Sequence, residues 1–154
     1  MTDDFKTRLL AVLAEHPNLC LNGCESLTRN YPNWREMIPK TRTFPTDDEQ
    51  VERIRRLCDY ITGFAGPAPR QTGTRAIGSY SLKHILENLP WKEEPNRYVS
   101  NGEAIVAMLL CGFKPKWSDD RTNPNCVFNR LRAGVWNPII KEANHRANSH
   151  SYLC

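Results

Sequence analysis

The chain has 154 residues, 40% of them hydrophobic and 25% charged, with six cysteines and a formal net charge of +4. This is an ordinary globular composition, with no low-complexity tract, long enough for one domain that buries about two-thirds of its unfolded surface. No apolar run approaches the ~18 residues of a membrane span. Asp3 and Asp4 stand where a signal peptide would be basic, so the expected compartment is the cytoplasm and the expected state of the cysteines is reduced.

Charge is unevenly distributed. Residues 1 to 66 hold nine Lys or Arg against ten Asp or Glu, and residues 67 to 154 hold twelve against seven. The basic excess lies wholly in the second part and points to an anionic partner there.

In chain order, Phe5, Leu9, Val12 and Leu13 form the apolar stripe of a helix over residues 3 to 15, which ends before Pro17. Pro17, Pro32, Pro39 and Pro45 punctuate a loop-rich stretch, with room for a short helix near Cys24 to Arg29. Thr46 and Glu49 read as a capping box. Behind it Val51, Ile54, Leu57, Cys58, Ile61 and Phe64 recur at helical spacing until Gly66 and Pro67. Residues 66 to 79 read as a flexible loop, followed by a helix from Tyr80 to Asn88 with Ser79 as its cap.

Tyr98 to Phe113 is the most sharply specified segment. Ser100 and Glu103 form a capping box, Val99 can staple onto Ala104, and Gly112 supplies a left-handed stop. Ala104 to Cys111 is apolar throughout, which predicts a central core helix with Ala104, Ile105, Met108 and Leu109 buried. Pro115 to Asn125 reads as polar and irregular, and Cys126 to Trp136 as either a short helix or a strand. Asn137 and Pro138 suit the start of a last helix over Ile139 to Ala147.

Two basic groups carry the candidate chemistry. Arg70-Gln71-Thr72-Gly73-Thr74-Arg75-Ala76-Ile77-Gly78-Ser79 leads into a helix bearing Lys83, and glycines beside cationic and hydroxyl donors suit phosphate. The stretch lacks the ending of a Walker loop and any dinucleotide fingerprint, and turn composition alone also produces such stretches. Lys114, Lys116, Arg121, Arg130 and Arg132 interleave with Phe113, Trp117 and Phe128, as in proteins whose cations take phosphates while their rings stack on bases. A helix-turn-helix fits poorly. About ten residues separate Leu89 from Ser100 where that motif uses three or four, and the second helix is too apolar to read base edges.

Metal and catalytic signals are thin. His16, Cys20, Cys24, His145, His150 and Cys154 would make a zinc site only if the two ends of the chain met, and no Cys-x-x-Cys is present among them. Glu142 with His145, and His84 with Glu87, are spaced to share helix faces, as ordinary surface pairs also are. Cys24 or Cys111 with His84 would be a nucleophile and base, but Cys111 falls in the apolar helix and no motif joins either cysteine to an oxyanion site.

The sequence therefore predicts a compact, mainly α domain of about five helices, with a small β-hairpin allowed in the C-terminal third. It reads as a non-enzymatic binding protein without metal or cofactor. The expected partner is a nucleic acid backbone or nucleoprotein, contacted by Arg70, Arg75, Lys83, Lys114, Lys116, Arg121, Arg130 and Arg132. The rival is a protein-interaction module, an inhibitor or adaptor of a larger machine, with anchors among Trp34, Trp91, Trp117 and Trp136.

Overall fold

A computed structural model describes residues 4–24, 43–65, 71–88, 98–119 and 123–150, Ser149 and His150 by their backbone alone. Within them run α1 (Asp4–Glu15), β1 (Leu19–Cys20), β2 (Gly23–Cys24), α2 (Asp48–Ala65), β3 (Arg75–Gly78) and α3 (Ser79–Asn88). There follow α4 (Asn101–Leu110), β4 (Pro115–Trp117), β5 (Cys126–Leu131) and α5 (Ala133–His150). β1 and β2 form a two-stranded ribbon, and β3-β5-β4 an antiparallel sheet. The mainly α class and the C-terminal hairpin, β4 with β5, are as the sequence predicts. None of the described helices is long and apolar enough to cross a membrane.

α4 is the central element, packed against α1, α2, α3 and β2. The Ser100 side chain accepts from the Glu103 N–H, and the Glu103 carboxylate accepts from the Ser100 N–H at 2.7 Å, so the predicted capping box forms. At the other end Gly112 adopts φ +85, and the Gly112 and Phe113 N–H groups bond to the Leu109 and Met108 carbonyls. That is a Schellman stop. Residues 101 to 108 are all buried, Ala104, Ile105 and Met108 completely, while Leu109 is half-buried.

Burying Glu103 requires partners for its charge. Arg53 Nε of α2 donates to its carboxylate at 2.6 Å and Gln50 Nε2 at 3.0 Å, and Arg53 also donates to the Tyr98 carbonyl. The cap of α4 is thus part of its junction with α2. Gly102, the second residue of the helix, lets the β1–β2 ribbon cross at contact distance. Its N–H donates to the Leu21 carbonyl at 2.8 Å, and a Cβ there would lie 1.9 Å from the Cys20 oxygen.

Several elements depart from the local reading. α2 begins at Asp48, and its cap is Asp47, whose carboxylate accepts from the Gln50 N–H, so Thr46 stands one residue too early. The loop-rich stretch after Pro17 contains the β1–β2 ribbon, and Cys24 is a strand residue; residues 25 to 29, the rest of the short helix expected there, lie outside the described residues. Arg75 to Gly78, expected as loop, is a strand because Ile77 pairs with Phe128 and both side chains enter the core. Ser79 is the first residue of α3 rather than its cap, and its buried hydroxyl accepts from the Cys126 N–H. Pro115 to Trp117, expected as irregular, is β4. α5 starts at Ala133 because the Arg132 carbonyl already accepts from Val135 and Trp136, which leaves Pro138 inside the helix instead of opening it.

Candidate nucleic-acid interface

The β3-β5-β4 sheet has one face on the core and one open. Cys126, Phe128 and Leu131 of β5 point inward, and Val127, opposite Lys116 of β4 and Gly78 of β3, lies on the open side with 37% of its surface exposed. Strand alternation carries Lys114 to the same side as Lys116, and both lysines are exposed. A groove of about 450 Å³ runs along this side, lined by Tyr80, Trp117, Asn123, Asn125 and Asn129; its charged residues are Lys116 and Asp119.

β5 carries a bulge that sets where its arginines go. Arg75 pairs with Leu131 and Ile77 with Phe128, so two steps on β3 face three on β5. The extra residue falls at Asn129 and Arg130, and Arg130 takes φ +59. A bulge re-aims one side chain and restores the alternation beyond it. Here Arg130 stays exposed while Leu131 returns to the core. For a non-glycine residue that conformation costs ~1–2 kcal/mol, which the rest of the sheet sustains.

Residues of the first basic stretch hold this bulge in place. Gln71 Nε2 donates to the Asn129 and Lys114 carbonyls, and its Oε1 accepts from the Lys114 N–H at 3.2 Å. The Gly73 N–H donates to the Arg130 carbonyl at 2.8 Å, and a Cβ on Gly73 would lie 2.0 Å from the Leu131 oxygen. The glycine that suggested close approach to a phosphate allows close approach to β5.

The predicted site residues therefore divide. Lys114, Lys116, Arg130 and Arg132 are exposed on the sheet and its end. Arg70 and Arg121 lie outside the described residues. Lys83 differs from the expectation: it is 5% exposed, and its ammonium donates to the Glu87 carboxylate at 3.0 Å and the Val99 carbonyl at 3.2 Å. It joins α3 to the start of α4. Arg75 is half-buried and, opposite Leu131, belongs to the inner side of the sheet.

The aromatics divide as well. Phe113 and Phe128 are core residues, and Trp136 is buried edge-on between Phe64 and Phe113, so it is no interface anchor. Trp117 is half-buried beside the His16 ring. Trp34 and Trp91 lie outside the described residues. Sequence reading missed Tyr80, 56% exposed beside the groove, and Tyr98, 61% exposed, whose ring lies 4.4 Å from the Lys83 ammonium. Only the helical phase of Tyr80 against the apolar face of α3 could have flagged it.

Among the described residues no three His, Cys, Asp or Glu side chains assemble as a metal site. Burial pushes the Cys126 thiol up to about 12 and raises Cys24, with Cys20 adding to the latter. Hydrogen bonding to Cys111, with burial, raises Cys58 strongly, and the same bond lowers Cys111. Cys111 bonds to the Cys58 carbonyl and contacts the Thr62 hydroxyl. His84 bonds to Glu87 at 2.7 Å, and Glu142 pairs with Arg146. These pairs tie each helix to itself. No protein-family model, curated protein or solved structure matches this chain.

Proposed function

We propose that the protein binds a single-stranded nucleic acid, alone or within a nucleoprotein, along the open side of the β3-β5-β4 sheet. The observation that carries this reading is the exposure of Lys114, Lys116, Arg130 and Arg132 on the sheet and its end, with Lys116 lining a groove edged by the exposed Tyr80 ring. Cations on a track beside an aromatic ring match the needs of a flexible strand, whose phosphates take the charge and whose bases stack. The bulge supports the same reading, because it presents Arg130 to solvent at a conformational cost.

Fluorescence anisotropy with labelled oligonucleotides, DNA and RNA, over a salt series tests the proposal. Affinity should fall steeply with salt, and Lys116→Ala combined with Arg130→Ala should lower the log–log slope by about 0.7 per lost phosphate contact. Tyr80→Ala should weaken binding without changing that slope. Absence of binding at low salt, or a slope unmoved by the double variant, refutes it. The exposed Tyr80 and Val127 also favour a second reading, a protein partner covering the groove. That partner would be retained after nuclease treatment and would be lost on Tyr80→Ala.

A further inference from the structure

A second cavity, also of about 450 Å³, lies on the other side of β3, between that strand, α3 and α5. Its volume is within the range of small-molecule sites. Ile77, Ile85 and Ile140 give it apolar walls, while Arg75, His84 and Asn144 supply polar groups. No Asp or Glu is among the described residues that line it.

Arg75 is the informative group. Its Nε–H is shielded from solvent and donates to nothing among the described residues. A guanidinium carries five donors and cannot shed its charge, and a shielded donor left without an acceptor is destabilising. Arginine in this position is the usual receptor for a carboxylate or phosphate, which accepts two of its N–H bonds at once. His84 adds a ring whose Nδ1 is bonded to Glu87, which orients it.

We infer that this cavity is a binding site for a small organic anion, a carboxylate with an aliphatic body, whose head group pairs with Arg75 and whose chain lies against Ile77, Ile85 and Ile140. The cavity borders the groove of the proposed nucleic-acid track at Gly78 and Ser81 but is lined by none of that track's cations.

The test uses the full chain and three probes of equal length: hexanoate, hexanol and hexylammonium, followed by calorimetry and by amide chemical shifts. Hexanoate should bind saturably, at least about tenfold more tightly than hexanol, with hexylammonium excluded; the factor corresponds to one charge-assisted pair. Arg75→Gln should abolish that preference and leave hexanol unchanged. Ala147→Trp, an exposed position lining the cavity, should block both probes. It serves as the decisive variant if Arg75→Gln fails to fold, which circular dichroism will show. Equal binding of the three probes, no binding of hexanoate, or hexanoate binding unaffected by Ala147→Trp overturns the inference.

Discussion

Arg130 offers a measurement in which stability and function should move in opposite directions. It is an exposed arginine at φ +59 in the bulge of β5. A side chain in that conformation crowds the following carbonyl by ~1–2 kcal/mol, and glycine escapes the clash while losing ~0.5–1 kcal/mol more backbone entropy on folding. Arg130→Gly should therefore stabilise the fold by about 0.5–1 kcal/mol, a rise in Tm of roughly 1–4 °C for a chain of this size. Arg130→Ala keeps the strain and should be the less stable of the two variants, reversing the usual rank of alanine and glycine. Urea unfolding followed by circular dichroism gives both differences, provided the slope is unchanged. On the proposed function, both variants should bind oligonucleotide more weakly than the native chain. If Arg130→Ala proves more stable than Arg130→Gly, the bulge is not strained and the argument for a re-aimed arginine fails.

Two further predictions concern how the core holds these elements. Gly102→Ala places a methyl group 1.9 Å from the Cys20 carbonyl and threatens the N–H bond to Leu21, so unfolding in urea should reveal a loss of about 3 kcal/mol; a loss below about 0.5 kcal/mol would mean that the ribbon is not seated on α4. Glu87 titrates below the ordinary glutamate value of 4.5, because bonds from Lys83, His84 and the Val99 N–H outweigh the burial that alone would raise it. With the folded value depressed, its stabilisation is fully present above the unfolded value and is lost as pH falls through the folded one. The gap in stability between the native chain and Glu87→Gln should thus be largest near neutrality and close in acid, and a gap constant with pH would show that Glu87 is not held in its charged form.

How much of this was legible depended on how far apart the interacting residues lie. α4 could be read with both ends because its signals are local: Ser100 and Glu103 satisfy each other within one turn, and Gly112 needs only its own φ to stop the helix. The apolar run between them predicted burial, since no face of such a helix tolerates water. Where two adjacent residues compete for a role, the chain alone was ambiguous. Thr46 and Asp47 both resemble caps, and the final choice rests on which side chain reaches the Gln50 N–H.

The candidate site was only partly legible. Composition placed basic residues in the second half of the chain, and four of them are exposed on and beside one sheet. Nothing local separated them from Lys83, whose burial follows from Glu87 one turn away and the Val99 carbonyl reached through the approach to α4. Nor could Phe113 and Phe128, which the core encloses, be told from Trp117, which shares their side of the sheet but is only half-buried at the end of β4.

The sequence by itself therefore determined that the chain is mainly helical, which helix is central and that the basic excess lies in the second part, because capping, apolar periodicity and charge are properties of neighbouring residues. Tertiary structure alone decided that Arg75 to Gly78 is a strand, that Arg130 occupies a bulge, and that Arg75 and Lys116 lie on opposite sides of the sheet. Those outcomes depend on register against β5, and register is set by which side chains the core can accept.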